Sequence, residues 1–263
     1  MKLFNVKIDS LSNKQALSTL FERQIIFTPN PEILLEARRN KTFRRALKKG
    51  TLMLPDGHGL LFVSTLLLFK SKFIRALLYL PALILFLFWK KPFKKIFPEV
   101  IHGSDFMADA IAHAVHEGKS VFFLGGAKGV ANSTAEFFKE KHSRLDVAGY
   151  SDLDPGEEAF KLIKKNKPDF LFVAYGAPKQ EIWIAKHERK LQEVQVIMGV
   201  GGSFDFYSGN AKRAPKLMRT LGLEWVWRLI LNPKSRLKRI WNAFVVFPII
   251  SVFSSRFSPQ LSE

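Results

Sequence analysis

Six short apolar runs, each closed by glycine, proline or a small polar residue, constrain this chain more than any other feature. They are "RQIIFT", "TLML", "KSVFFL", "LDVAGY", "DFLFVAY" and "VQVIMGV". Their residues are mostly β-branched, aliphatic or aromatic without polar alternation, which suits strands buried on both faces. Between them "PEILLEARRN", "VANSTAEFFKEKH", "PGEEAFKLIKKNK" and "KQEIWIAKHERKL" read as helices, the first with Pro31 near its first turn. This alternation predicts parallel strands covered by helices on both sides. Ligands of such sheets bind at the carboxyl ends of the strands. Those exits are "TPNP", "LPDGHG", "LGGAKG", "GYSD", "YGAPKQ" and "GVGGSFDF".

Asp56, in "LPDGHG", therefore belongs on the ligand-binding rim. It reads either as a turn residue or as a general base. "FLGGAKG", with Gly125, is a glycine turn that either packs tightly or offers backbone N–H groups to a phosphate. In "GVGGSFDFYSG", Gly201 and Gly202 allow close approach of a ligand, and Asp205 either accepts from a nucleoside or caps a turn. "YGAPKQE" puts Gly176 at a strand exit and Gln180 early in the next helix, facing the same rim. "SDLD" has the form of a metal-binding acidic pair, but Asp154 before "PGEE" reads as a helix N-cap. "HAVH" reads as a surface helix, not a metal site.

Two segments break the alternation. Ala76–Trp89 is apolar apart from Tyr79, contains Pro81, and is followed by Lys90, Lys91, Lys94 and Lys95. Its length falls short of the ~20 residues of a full span, so it reads as a dipping or in-plane membrane segment, with Arg75 able to snorkel. The tail from Trp225 mixes tryptophans with Arg228, Lys234, Arg236, Lys238 and Arg239, then runs apolar from Ala243 to Phe253. A net charge of +18 favours a polyanionic partner. Bases beside apolar runs point to lipid head groups rather than nucleic acid. The absence of cysteine removes disulfides and thiolate chemistry. The N-terminus shows no apolar core of a signal peptide.

The stretches "TPNPE", "LPDGHG", "HGSDF", "VFFLGGAKG", "PDFLFVAYGAPKQE", "GVGGSFDFYSGNAKRAP" and "GLEWVWRLILNPKSRLKR", in this order, resemble the WecG/TagA/CpsF family of bacterial glycosyltransferases. The resemblance implies an α/β fold of the GT-E class: a Rossmann-like parallel sheet with helices on both faces. A catalytic domain over 1–210 would carry an apolar, membrane-associating insertion at about 61–100. Residues 211–263 would form a basic helical C-terminal appendage. It implies inverting, metal-independent transfer of a sugar, N-acetylmannosamine or a relative, from a UDP-sugar to a polyprenyl-diphosphate-linked sugar in cell-surface polysaccharide assembly. The enzyme would act on the cytoplasmic face of the bacterial inner membrane, bound peripherally or monotopically to an anionic surface, with no cofactor, no nucleic acid, and homo-oligomers open.

By the same resemblance Asp56 would be the general base and Thr28 would help orient the reacting groups. Asn30, Gly125, Tyr150, Gly176, Gln180, Gly201, Gly202 and Asp205 would hold the donor. Arg213, Arg228, Arg236, Lys238 and Arg239 would neutralise diphosphates. The chain departs from the family pattern at Val100, where arginine is usual, and at Asn232–Ser235. The segment from Asp56 to His102 is also longer than usual. Two other readings of the residues remain: a basic nucleic-acid-binding protein, and a nucleotide-binding enzyme with a soluble substrate.

Overall fold

A computed structural model describes residues 1–212, 215, 218, 224–231, 233, 237 and 241–253. Its centre is a six-stranded, all-parallel sheet. After a small hairpin, β1 (Lys2–Leu3) and β2 (Val6–Lys7), come the six strands β3 (Gln24–Phe27), β4 (Leu52–Met53), β5 (Val121–Gly125), β6 (Val147–Ser151), β7 (Phe170–Ala174) and β8 (Val196–Gly199). Their spatial order is β4-β3-β8-β7-β5-β6.

The expected burial of both faces is met residue by residue. Ile25, Phe27, Phe122, Leu124, Leu171, Val173 and Ile197 point into one core. Their neighbours Ile26, Val121, Phe123, Phe170, Phe172, Val196 and Met198 point into the other. Period two within an apolar run is what a sheet covered on both sides requires. The first core is closed by α2 (Pro31–Arg39), α3 (Lys41–Leu47), α4 (His58–Leu66), α8 (Glu157–Asn166) and α9 (Lys179–His187). The second is closed by α1 (Asn13–Leu17), α6 (Gly103–His116), α7 (Val130–Lys141) and α10 (Ser203–Tyr207).

The apolar segment forms α5 (Lys72–Phe88), capped by the Ser71 hydroxyl on the Ile74 N–H. At 1.5 Å per residue it is about 25 Å long. Among the described residues no helix is long and apolar enough to cross a membrane. Its inner stripe (Arg75, Tyr79, Ala82, Leu83, Phe86) faces the protein. Arg75 does not snorkel. It is 3% exposed and donates to the carbonyls of Phe69, Lys70 and Val252, closing the loop before α5 and fastening it to the helix Phe247–Phe253. That last helix buries Phe247 and Val252 in the same core as α4, so this part of the 211–263 segment packs with the insertion.

Asp154 is not the cap of α8. The N-cap is Gly156, without a side-chain hydrogen bond, because Pro155 and Gly156 intervene before the first helical turn.

Candidate active site

The connections from β5 and β7 leave in opposite directions, to β6 on one side and β8 on the other, which opens a crevice at the carboxyl ends. A cavity of about 340 Å³ lies there, lined by Gly126, Asp154, Tyr175, Gly176, Lys179 and Asp205 among others. It shares Gly176, Gly201, Gly202 and Asp205 with a larger cavity of about 1110 Å³ that runs past Thr28, Asn30, Asp56, His58 and His102. The two form one continuous crevice along the rim.

Asp56 is fixed by its backbone. Leu54 N–H donates to Phe27 O at 2.9 Å, Asp56 N–H to Pro29 O at 3.0 Å, and Ile101 N–H to Pro55 O at 2.9 Å. The strap after β4 is thus sewn to the exits of β3 and to the start of α6. Gly57 then takes φ +100°, a left-handed conformation that side-chain-bearing residues adopt at a cost, so the carboxylate can stand at the head of α4. His102 Nδ1 lies 3.2 Å from Asp56 Oδ1. Thr28 completes the group from β3: a Cβ on Gly103 would come within 3.0 Å of its Oγ1, so α6 starts against that hydroxyl.

Beside them His58 sits edge-on to His102, ring centroids 6.1 Å apart, with both ring nitrogens buried and without a hydrogen-bond partner among the described residues. Burial first, then the charges of Lys90 and His102, push its pKa down to about 4, so it is neutral at physiological pH. Sequence reasoning quoted "LPDGHG" and "HGSDF" without giving either histidine a part; residues 46 positions apart carry no local signal of contact.

On the other side of the crevice Gln180 is buried. Its Oε1 accepts from Gly201 N–H at 2.9 Å and its Nε2 donates to Glu181 Oε1 at 2.9 Å. Gln180 therefore shapes the glycine loop after β8. Glu181, unmentioned by the sequence reading, is 1% exposed, and burial pushes its pKa up to about 7. Asp205 lines both cavities, and burial raises its pKa.

The remaining expectations divide. Asn30 lines the larger cavity while its Oδ1 caps α2, accepting from Glu32 and Ile33 N–H at 3.0 Å each. Gly125 does not line the crevice; a Cβ there would meet the Tyr175 ring at 2.8 Å, and the neighbouring Gly126 provides the wall. Tyr150 stands on the edge strand β6, 51% exposed, outside the residues that line either cavity. In the glycine turn, Gly129 N–H donates to Asp152 Oδ2 at 3.0 Å. The two imidazoles of "HAVH" diverge, His113 packing edge-on to Phe21 and His116 pairing with Glu117. Arg213, Arg236, Lys238 and Arg239 lie outside the described residues. Arg228 falls in the helix Glu224–Leu231, its side chain outside the description. The described cations in the crevice wall are Arg39, Lys179 and Lys212, none of them singled out from sequence.

A carboxylate held beside an imidazole at one end, and glycine-rich backbone with cations at the other, suit proton removal from a hydroxyl next to a bound diphosphate. The profile of the Glycosyl transferase WecG/TagA/CpsF family matches residues 1–85 and 75–260. An N-acetylglucosaminyldiphosphoundecaprenol N-acetyl-beta-D-mannosaminyltransferase of Bacillus spizizenii is 37% identical over 211 residues, 79% of this chain and 71% of its own length. An enzyme of the same name from Staphylococcus aureus is 32% identical over 233 residues, 86% of this chain and 78% of its own.

Proposed function

Because the chain belongs to the Glycosyl transferase WecG/TagA/CpsF family, we propose that it transfers N-acetylmannosamine from a UDP-sugar to N-acetylglucosamine carried on an undecaprenyl diphosphate. It is a glycosyltransferase of cell-envelope polysaccharide assembly. Family membership, with bases set beside apolar runs, displaces the nucleic-acid reading of the +18 charge.

The observation that carries the mechanism is the convergence of Asp56, His102 and Thr28 on one wall of a crevice whose far end is glycine backbone and cations. In our reading the donor's nucleoside diphosphate lies along Gly176, Gly201 and Gly202, with Asp205 on its ribose. The acceptor hydroxyl approaches Asp56. Asp56 takes its proton as the oxygen attacks the anomeric carbon from the face opposite UDP. The carbon–oxygen bond to the diphosphate breaks, UDP departs, and the anomeric configuration inverts. His102 holds the carboxylate in line, and neutral His58 adds no charge to that wall. Cationic side chains offset the charge on the leaving diphosphate, so the reading includes no metal. The acceptor is lipid-linked, so the enzyme works at a membrane, and we place it on the anionic cytoplasmic face.

The test is transfer from UDP-N-acetylmannosamine to a short-chain prenyl-diphosphate N-acetylglucosamine, with and without EDTA, the product read by mass spectrometry. The reading expects a disaccharide product at the same rate in both. No product with any UDP-hexosamine, or loss of product with EDTA, would contradict it.

A further inference from the structure

The outer stripe of α5 is apolar where a surface helix is normally polar. Phe73, Leu77, Leu80, Ile84, Leu87 and Phe88 recur along it, between 52% and 87% exposed. Ile249 and Phe253 of the adjoining C-terminal helix are also exposed. A monomer in water does not leave such a ridge uncovered without a partner for it.

Charge identifies the partner. No acidic residue occurs between Asp56 and Glu99, while Lys70 and Lys72 open the ridge and Lys90, Lys91, Lys94 and Lys95 close it. An apolar ridge too short to span, with cations at both ends, is the pattern of a helix lying in the plane of an anionic bilayer. A second copy of this chain would bring the same positive ends together.

The lysine end also packs on α4, the helix that starts at the crevice wall. The 3₁₀ turn Lys91–Phe93 is tied to α4 by Thr65 Oγ1 donating to Phe93 O at 3.1 Å, and the Phe93 ring packs edge-on against Phe86 at 4.9 Å. α4 begins at His58, on the cavity wall two residues from Asp56. Burial lowers the His58 pKa most, and the charge of Lys90 and, more weakly, that of Lys94 add to it, so both lysines lie on the His58 side of α4; Lys90 is itself partly desolvated.

We propose that α5 lies in the plane of an anionic bilayer on its outer apolar ridge, and that Lys90 and Lys94 at its end hold the diphosphate of the lipid-linked acceptor where the membrane meets the crevice. This deepens the glycosyltransferase reading and rests on it for the nature of the acceptor. The insertion would then do two things at one boundary. It fixes the depth of the protein against the lipid, and it supplies cations at the height where the prenyl chain ends and the sugar begins.

The experiment has two arms. In the first, wild type and the L77Q/L80Q/I84Q variant are co-sedimented with phosphatidylglycerol vesicles containing no sugar substrate. These side chains are 66%, 62% and 52% exposed, so the variant is expected to fold, and circular dichroism matching wild type checks this. The bound fraction is expected to fall at least tenfold. Binding equal to wild type overturns the docking surface, as does a wild-type dimer that the variant splits while still binding vesicles. In the second, K90Q/K94Q is assayed with the acceptor in phosphatidylcholine vesicles, which carry no net charge. The acceptor KM is expected to rise about tenfold with the donor KM unchanged. An acceptor KM that changes only in phosphatidylglycerol vesicles would show that these lysines read head groups and not the diphosphate, and overturns that half. The first arm involves no sugar transfer, so its outcome is separate from any failure of the glycosyltransferase assignment.

Discussion

Glu181→Gln should stabilise the protein, and only above a defined pH. Glu181 is 1% exposed, its Oε2 has no hydrogen-bond partner among the described residues, and burial raises its pKa from 4.5 to about 7. A group whose pKa is higher in the fold than in the unfolded chain supplies stability in its protonated form. That stability is complete below the unfolded value and is lost as pH rises through the folded one. A separation of about 2.5 units corresponds to about 3 kcal/mol. Glutamine is the neutral isostere. It can keep the bond from Gln180 Nε2 through its amide oxygen, and it has no charge to bury. Wild type and variant should therefore unfold together near pH 4.5 and diverge by about 3 kcal/mol by pH 8. In a domain of this size that is on the order of 6–12 °C in Tm. His58 works in the opposite window: its depressed pKa makes the fold lose stability as pH falls from 6.5 toward 4. Being present in both proteins, that term cancels in the difference. The assay is thermal unfolding by circular dichroism at half-unit steps from pH 4.5 to 8. Parallel curves, or a variant less stable at pH 8, would refute the claim that Glu181 is forced to bury its charge.

Two further substitutions test the framework of the site. His102→Gln removes the 3.2 Å contact with Asp56. A hydrogen bond to a charged group contributes ~1.5–3 kcal/mol, so kcat should fall by roughly ten- to a hundredfold while the donor KM holds; a raised KM with kcat unchanged would make His102 a binding residue instead. Arg75→Leu leaves the carbonyls of Phe69, Lys70 and Val252 without their donor and should cost about 3 kcal/mol, lowering Tm by roughly 6–12 °C. A stability unchanged by that substitution would mean that the arginine contributes nothing to fastening α5.

The fold was legible because its strands are buried on both sides, which leaves apolar runs such as "VFFL" and "FLFVA" that alternating strands never show. Asp56 and Thr28 were legible for a related reason: residues at strand exits of a parallel sheet are brought to one rim whatever the intervening sequence does. Contacts between those exits were not. His102 meets Asp56 across an insertion of some forty residues, and nothing in either local pattern announces the meeting. Gln180 has the polarity of a solvent-facing first-turn residue, yet it faces inward because Gly201 offers an unpaired N–H across the sheet edge. Arg75 turned inward because three carbonyls at two helix ends outweigh the solvent it gave up. Asp154 was read as a cap from its distance to "GEE", and the Pro155–Gly156 pair shifted that role by two residues and left the carboxylate in the crevice wall. α5 is apolar on both faces, so periodicity could give its existence and length but not which stripe the protein keeps.

The proposed mechanism turns on whether Asp56 accepts the acceptor proton. Single-turnover transfer by Asp56→Asn measures this most directly, with donor saturating, the acceptor in short-chain form and the variant's Tm matched to wild type. General-base removal should lower the rate by ~10²–10⁴-fold with donor affinity intact. A rate within fivefold of wild type would show that the proton goes elsewhere.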